Sequence, residues 1–278
     1  MRRQQCLVMA TTLVAISTLS LVESTRPLSA DISRPRQARS ADGEAERVLS
    51  QARASLGGSN AFDAVTTLEI HGVEERGASG AVPNGATVYG SAPEPFGFKM
   101  RWPDRFQITR GWFIHTLDGR AFWKQQTGGP PVPDTPDLEA TARRSTELNS
   151  AYLTLAFLLR TPPSLRWEPR YRGLTKIDGI DGPTIEFVGA SDHGPKMVFD
   201  AVRHLPLAVV TTARRYEATG GERLLDVVKR LDDYRRVGGL LFPFRLDEQT
   251  PGQYAITRIT SVRINPPLGL RDFARPDK

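Results

Sequence analysis

The chain has 278 residues, 39% of them hydrophobic and 24% charged, enough for one large β-rich domain or two ordinary ones, and this composition excludes a low-complexity chain. Its single cysteine, Cys6, excludes an intramolecular disulfide framework and any cysteine-based zinc or iron–sulfur centre, and its four histidines (71, 115, 193 and 204) fall at no metal-binding spacing. The net charge of +6 comes from basic residues dispersed along the chain, a solubility feature compatible with an anionic membrane surface but not a nucleic-acid footprint.

Arg2 and Arg3 precede an uncharged run from Leu7 to Val22, the pattern of a secretory signal. That run is short and rich in Thr and Ser, whereas a membrane-spanning helix needs about 20 apolar residues. Residues 1–30 are therefore expected to act as a signal peptide that exports the chain to the periplasm, with cleavage after Ser24 or Ala30. An uncleaved N-terminal membrane anchor is the alternative. Residues 31–43 are polar and read as a flexible linker ahead of a single β domain, 44–278.

Val48, Leu49, Ala52 and Leu56 fall at helical spacing and Gly57-Gly58 follows as a stop, which predicts a helix over Glu44–Leu56. From Val65 to His71 the pattern turns extended. Residues 76–95 are dense in Gly, Pro, Ser and Ala and read as a long loop enclosing a short strand at Thr87–Tyr89. Phe98, Met100 and Trp102 then alternate with Lys99 and Arg101, and Phe106 and Ile108 continue the period of two. Asp118-Gly119, between aromatic-rich runs, marks a hairpin. Thr135-Pro136-Asp137 supplies a cap, a first-turn proline and an acidic first turn for a helix reaching about Arg160, with Leu148, Ala151, Tyr152, Leu155 and Leu159 on its apolar face. Pro162-Pro163 ends it.

Strands are predicted from Leu165 to Ile264, separated by turns that include Asp178-Gly179, Asp181-Gly182, His193-Gly194 and Gly238-Gly239. Helices do not alternate with them, so the sheet is an antiparallel meander and not a parallel α/β sheet. The fold class is mainly β (α+β), a wide antiparallel sheet that either closes into a barrel or wraps around something, with two helices available for its concave side. A wide sheet must close or cover one face. Two helices leave room for an apolar cavity, which points to a hydrophobic ligand.

Several segments in this order resemble the LolA-like family of exported lipoprotein carriers. They are ARASLGG (Ala52–Gly58), IDGIDGPTIEF (Ile177–Phe187), MVFDAVRHLPLAV (Met197–Val209), DDYRRVGGLLFPFRL (Asp232–Leu246), and a closing ITRITSVRINPPLGLRDFARP (Ile256–Pro276) with an Asn and a Phe-x-x-Pro tail. The resemblance covers most of residues 46–276; the Gly/Pro-rich stretch at 76–95 is longer than in the family. It implies an open, curved antiparallel sheet, a half-barrel, with two helices across its concave face as a lid over an apolar cavity for acyl chains, and a carrier that performs no chemistry. The expected ligand is a lipid or a lipoprotein acyl chain, with no cofactor and no metal. An envelope protein is a further candidate partner, and nucleic acid is not expected.

The candidate cavity residues are Phe98, Met100, Trp102, Phe106, Ile108 and Trp112 on strands, with Leu155 and Leu159 on the helical lid. A packed core is the competing reading of the same side chains. It corresponds to an envelope structural or interaction module with no lipid ligand. Arg101, Arg105 and Arg110 interleave with the aromatics; they suit phosphate or carboxylate headgroups, or line the outer face of the strands. The remaining polar residues read as structural. No GxSxG nucleophile motif accompanies Asp192-His193, which reads as a turn. His71 and His115 read as hydrogen-bonded strand residues, Asp178 and Asp181 as turn formers, Glu74-Glu75 and Asp232-Asp233 as solvated, and Asn60 and Asn265 as turn or cap residues.

Overall fold

A computed structural model describes residues 34–78, 91–119, 121–132, 135–189, 194–216, 222–250 and 252–276. Helix α1 (Arg34–Leu56) is followed by a single-turn α2 (Ser59–Asp63), and then by β1 (Thr67–Ala78), β2 (Glu94–Arg101), β3 (Arg105–Arg110), β4 (Phe113–Asp118) and β5 (Ala121–Gln126). Helix α3 (Pro136–Leu158) leads to β6 (Glu168–Ile177), β7 (Ile180–Val188), β8 (Lys196–Phe199) and β9 (Pro206–Tyr216), and β10 (Glu222–Val237), β11 (Leu240–Thr250) and β12 (Gln253–Ile264) complete the sheet. The twelve strands form one open sheet in the order β5-β4-β3-β2-β1-β12-β11-β10-β9-β8-β7-β6, with every described pairing antiparallel. The predicted mainly-β meander with helices on one face is therefore the observed architecture.

Three differences from the sequence reading have local causes. Helix α1 starts at Arg34, inside the stretch 31–43 read as a linker. The short α2, an element the sequence reading did not predict, buries Phe62. Asp181-Gly182 is not a turn but lies within β7. A Cβ at Gly182 would strike the Phe199 carbonyl of the neighbouring strand, so the glycine serves close strand approach. The expectations for Thr87–Tyr89, Asp192-His193 and residues 1–30 lie outside the described residues. Among the described residues no helix is long and apolar enough to cross a membrane.

The sheet curves around its helices. Strands β4 and β9 stand seven places apart in the sheet, which in a flat sheet is roughly 34 Å. Yet Asn149 of α3 lines one hollow reaching β4 and another reaching β9, although a helix is only about 10–12 Å across. Helix α1 packs on β6, β7 and β11, and α3 on β3, β4, β5, β9 and β11. The C-terminal half of α3 is buried on nearly every side, from Ser150 through Leu158 except Tyr152. A helix that is apolar all round belongs inside a core. This half fills the concavity that two helices were expected to leave empty.

The family-like segments turn out to be structural. Asp200 in MVFDAVRHLP accepts the amide N–H groups of Val202 (2.8 Å) and Arg203 (2.7 Å), which shapes the β8–β9 turn. Burial alone would raise the Asp200 carboxyl, but the bonds from the Arg203 amide and guanidinium and the Val202 amide outweigh it and hold it below its ordinary range. Asn265, at φ 51°, joins the two chain regions that flank β1 and β12. Its Oδ1 accepts from the Thr66 (2.8 Å) and Thr67 (3.2 Å) amides, and its Nδ2 donates to the Ala64 carbonyl (3.0 Å). Phe273 of the Phe-x-x-Pro tail is fully buried, in a short 3-10 turn (Leu270–Phe273) that packs on β3 and β4.

Candidate functional site

Residues of alternating parity on β2, β3 and β4 set the two faces of this half of the sheet. Phe96, Phe98 and Met100 pair across to Arg110, Ile108 and Phe106, and those pair to Phe113, His115 and Leu117. All of these face α3; His115 Nδ1 lies 3.2 Å from Thr146 Oγ1 of that helix. At the end nearer Met100 the face is closed. Phe98 and Met100 are fully buried, Phe106 is stacked on Phe98 with ring centres 6.4 Å apart, and Leu155 and Leu159 complete the packing.

Trp102 lies in the turn after β2, half-buried, with the Arg160 guanidinium 4.8 Å from its ring centre. Arg160 donates to the Val65 carbonyl at 2.8 Å and closes this end, and burial holds its pKa below the ordinary arginine value. Phe98, Met100, Phe106, Leu155 and Leu159 thus form packed core, and the half-buried Trp102 packs against it. Trp112 departs further from the expected cavity. It is 68% exposed at the β3–β4 turn and lines a hollow with Pro95, Gly97 and Ile114 on the face away from α3. A turn residue does not continue the strand parity that its place in the sequence suggests. Of the eight candidates, Ile108 alone borders open space under the helix.

That open space lies at the other end of α3. A hollow of ≈ 250 Å³ is lined by Leu148, Tyr152, Val209, Val227, Lys229 and Glu248, among others. On the opposite flank of the helix a second, of ≈ 290 Å³, is bounded by Arg76, Ile108, Arg110, Phe113 and His115. Ser145 and Asn149 border both. A third, of ≈ 550 Å³, continues to the rim formed by the ends of β1, β11 and β12, sharing Arg76 and Arg110 with the second and Glu248 with the first. These adjoining hollows, which share lining residues and have both apolar and charged walls, are together termed the cleft.

The helix over this cleft is lightly held. From Pro136 to Ser145 its side chains are exposed except the half-buried Ala142. Thr135 occupies the cap position without a side-chain cap bond, so the predicted cap is present in sequence only. The two ends of α3 thus differ in burial along one continuous helix.

Charge in the cleft was the part the sequence hid. Glu74, read as solvated, is 4% exposed; it accepts from Arg76 Nε (2.7 Å) and Thr257 Oγ1 (3.0 Å). Glu248 pairs with Lys229 at 3.0 Å. The Lys229 ammonium, opposed by desolvation and aided by Arg110 and Arg76, holds the Glu248 carboxyl below its ordinary range. Only the period-two position of Glu74 on the face of Leu68 and Ile70, kept through the unbroken pairing with β2, could have flagged it.

Among the described residues no group of three metal-ligating side chains is assembled. Asp178 sits in the β6–β7 turn as expected, paired with Arg230 at 2.5 Å. His71 lies 3.3 Å from Glu69 on an exposed position.

No protein-family model and no curated protein matches the chain. Among solved structures it aligns with a LolA superfamily protein from Nitrosomonas europaea, at 13% identity over 83% of this chain and 97% of that one, TM-score 0.48. A DUF1329 family protein from Desulfovibrio piger aligns at 11% identity over 85% and 97%, TM-score 0.49. A Vibrio parahaemolyticus domain named for outer membrane lipoprotein sorting aligns at 14% identity over 82% and 97%, TM-score 0.45. Each alignment spans most of this chain at low identity.

Proposed function

We propose that this chain is an exported, non-enzymatic carrier or binder of lipid or lipoprotein acyl chains, acting in the periplasm or elsewhere in the cell envelope. The supporting observation is the cleft under the lightly held half of α3, where Leu148, Tyr152, Val209 and Val227 form an apolar flank. Its hollows, at ≈ 250 and ≈ 290 Å³ with a wider rim beyond, approach the usual range of about 300–1,000 Å³ for small-molecule sites. Each methylene that enters gains roughly 0.8 kcal/mol, so no chemistry is needed to load a chain. Release then requires a competing acceptor or a movement of the exposed half of α3.

A second reading is favoured by a specific observation, the filled closed end. There the chain is an envelope structural or interaction module that takes no lipid. Native mass spectrometry with lipid extraction, on protein purified from an envelope fraction, separates the two. The carrier reading expects bound acyl lipid that Leu148→Glu removes while the circular dichroism spectrum is unchanged. A folded protein that is lipid-free and takes up no added acyl probe overturns it in favour of the interaction module.

A further inference from the structure

The three arginines that interleave with the β2–β4 aromatics have different fates. Arg101 donates to the Leu268 carbonyl at 3.0 Å. Arg105 pairs with Asp118 at 2.6 Å. Arg110 lies on the inner face in register with Phe106 and Ile108, half-buried, and borders two of the three hollows. Among the described residues its guanidinium makes no hydrogen bond or ion pair, its backbone pairing with β2 and β4 aside, and it reaches Glu248 only through longer-range charge.

The charges around Arg110 are already matched. Glu74 is taken by Arg76 and Thr257, and Glu248 by Lys229. Glu94 lies against Gly111, where a Cβ would stand 2.5 Å from its Oε2, and it lines none of the hollow. Arg110 is therefore the one cation at the cleft without a direct carboxylate partner among the described residues. A guanidinium stays charged at every accessible pH and presents a planar fork of donors that fits phosphate or carboxylate oxygens in pairs. Beside it the walls turn apolar through Ile108 and Phe113. An anion with an apolar tail matches that sequence of surfaces.

We propose that Arg110 reads the headgroup of the cleft's ligand and selects acyl lipids whose phosphate headgroup is net negative over zwitterionic ones, whose phosphate is already offset by the headgroup's own cation. This rests on the acyl-binding reading above. The carboxylate–cation pairs on either side orient the site: they leave no free carboxylate to repel the anion and keep Arg110 from collapsing onto a protein partner.

The test compares uptake from vesicles of dimyristoyl phosphatidylglycerol and dimyristoyl phosphatidylcholine, which share their acyl chains, read by native mass spectrometry. The expected result is a preference for phosphatidylglycerol of about tenfold at low salt, which falls as salt rises. Arg110→Gln abolishes the preference and retains uptake of phosphatidylcholine; Arg110→Lys keeps part of the preference; Arg101→Gln leaves it unchanged. Soluble glycerol phosphate at millimolar concentration does not displace the lipid. Equal uptake of the two lipids by the unmodified chain overturns the headgroup assignment and leaves the acyl-binding reading standing. No uptake of either overturns both. Full displacement by glycerol phosphate overturns the lipid assignment, because the site would then serve a free phosphate ester.

Discussion

The closed and open ends of the concave face are built from the same strands and the same helix, yet they differ in what fills them. At the closed end Phe98, Met100 and Leu155 meet with no space between them. At the open end the same helix carries Ser145 and Asn149 over a cleft. The difference lies in the side chains that α3 offers. Its last two turns present Leu, Phe and Ala on nearly every side, so the sheet packs onto it. Its first two and a half turns are polar, and the sheet cannot follow them without burying unpaired groups. Open space therefore sits where the helix is polar and shallow, not where the aromatic stripe is densest.

The largest effect expected from breaking this contrast is at the closed end. Phe98→Ala removes a fully buried ring and should lower stability by about 3–5 kcal/mol. Chemical denaturation measures it, and a loss under 1 kcal/mol would show that this end is not a packed core.

Asn265→Ala comes next. It removes the side-chain acceptor of two amides and the donor to Ala64 at a left-handed position, for an expected loss of about 1–3 kcal/mol by the same method. Headgroup preference should not move.

Asp200 sharpens the comparison through pH. Its carboxyl is held below the ordinary range in the folded protein, so its contribution is present above the unfolded carboxylate pKa and is lost as pH falls through the folded value. Thermal melts of Asp200→Ala should run below those of the unmodified chain at neutral pH and converge with them in acid. Parallel curves down to the acid limit would contradict this.

At the open end, Leu148→Glu should change stability by less than about 1 kcal/mol, since Leu148 is only half-buried, while removing acyl uptake. The smallest effect belongs to Trp112→Ser, within about 0.5 kcal/mol, because the ring is 68% exposed on the far face. Melting curves read both.

The sequence made the strands legible because their alternation and their Gly-containing turns are local signals. Nearly every predicted strand after Pro163 has an observed counterpart, and the family-like segments proved legible for the same reason: Asp200 and Asn265 are local turn chemistry. Asp181-Gly182 misled because a close approach of strands and a tight turn ask for the same residue. The site was less legible. Hydrophobicity marks Phe98, Met100 and Ile108 alike, and only the path of α3 decides which of them borders empty space. Arg110 shares its spacing with Arg101 and Arg105; what sets it apart is that, among the described residues, its guanidinium has neither the carbonyl that Arg101 finds nor the carboxylate that Arg105 finds, a fact of tertiary structure. Glu74 keeps the alternation of Leu68 and Ile70, but a carboxylate beside Glu75 reads as solvated until the fold supplies Arg76 and Thr257 as its partners.

The central claim is that ligand occupies the open cleft and not the packed end. Photo-crosslinking with a diazirine-bearing acyl lipid, followed by peptide mapping, tests it most directly. The account predicts labels on α3 between Ser145 and Tyr152 and on the facing parts of β9 and β10, with none on Phe96–Phe106. Labels concentrated on Phe96–Phe106, or no label above that of an unrelated protein, would contradict it.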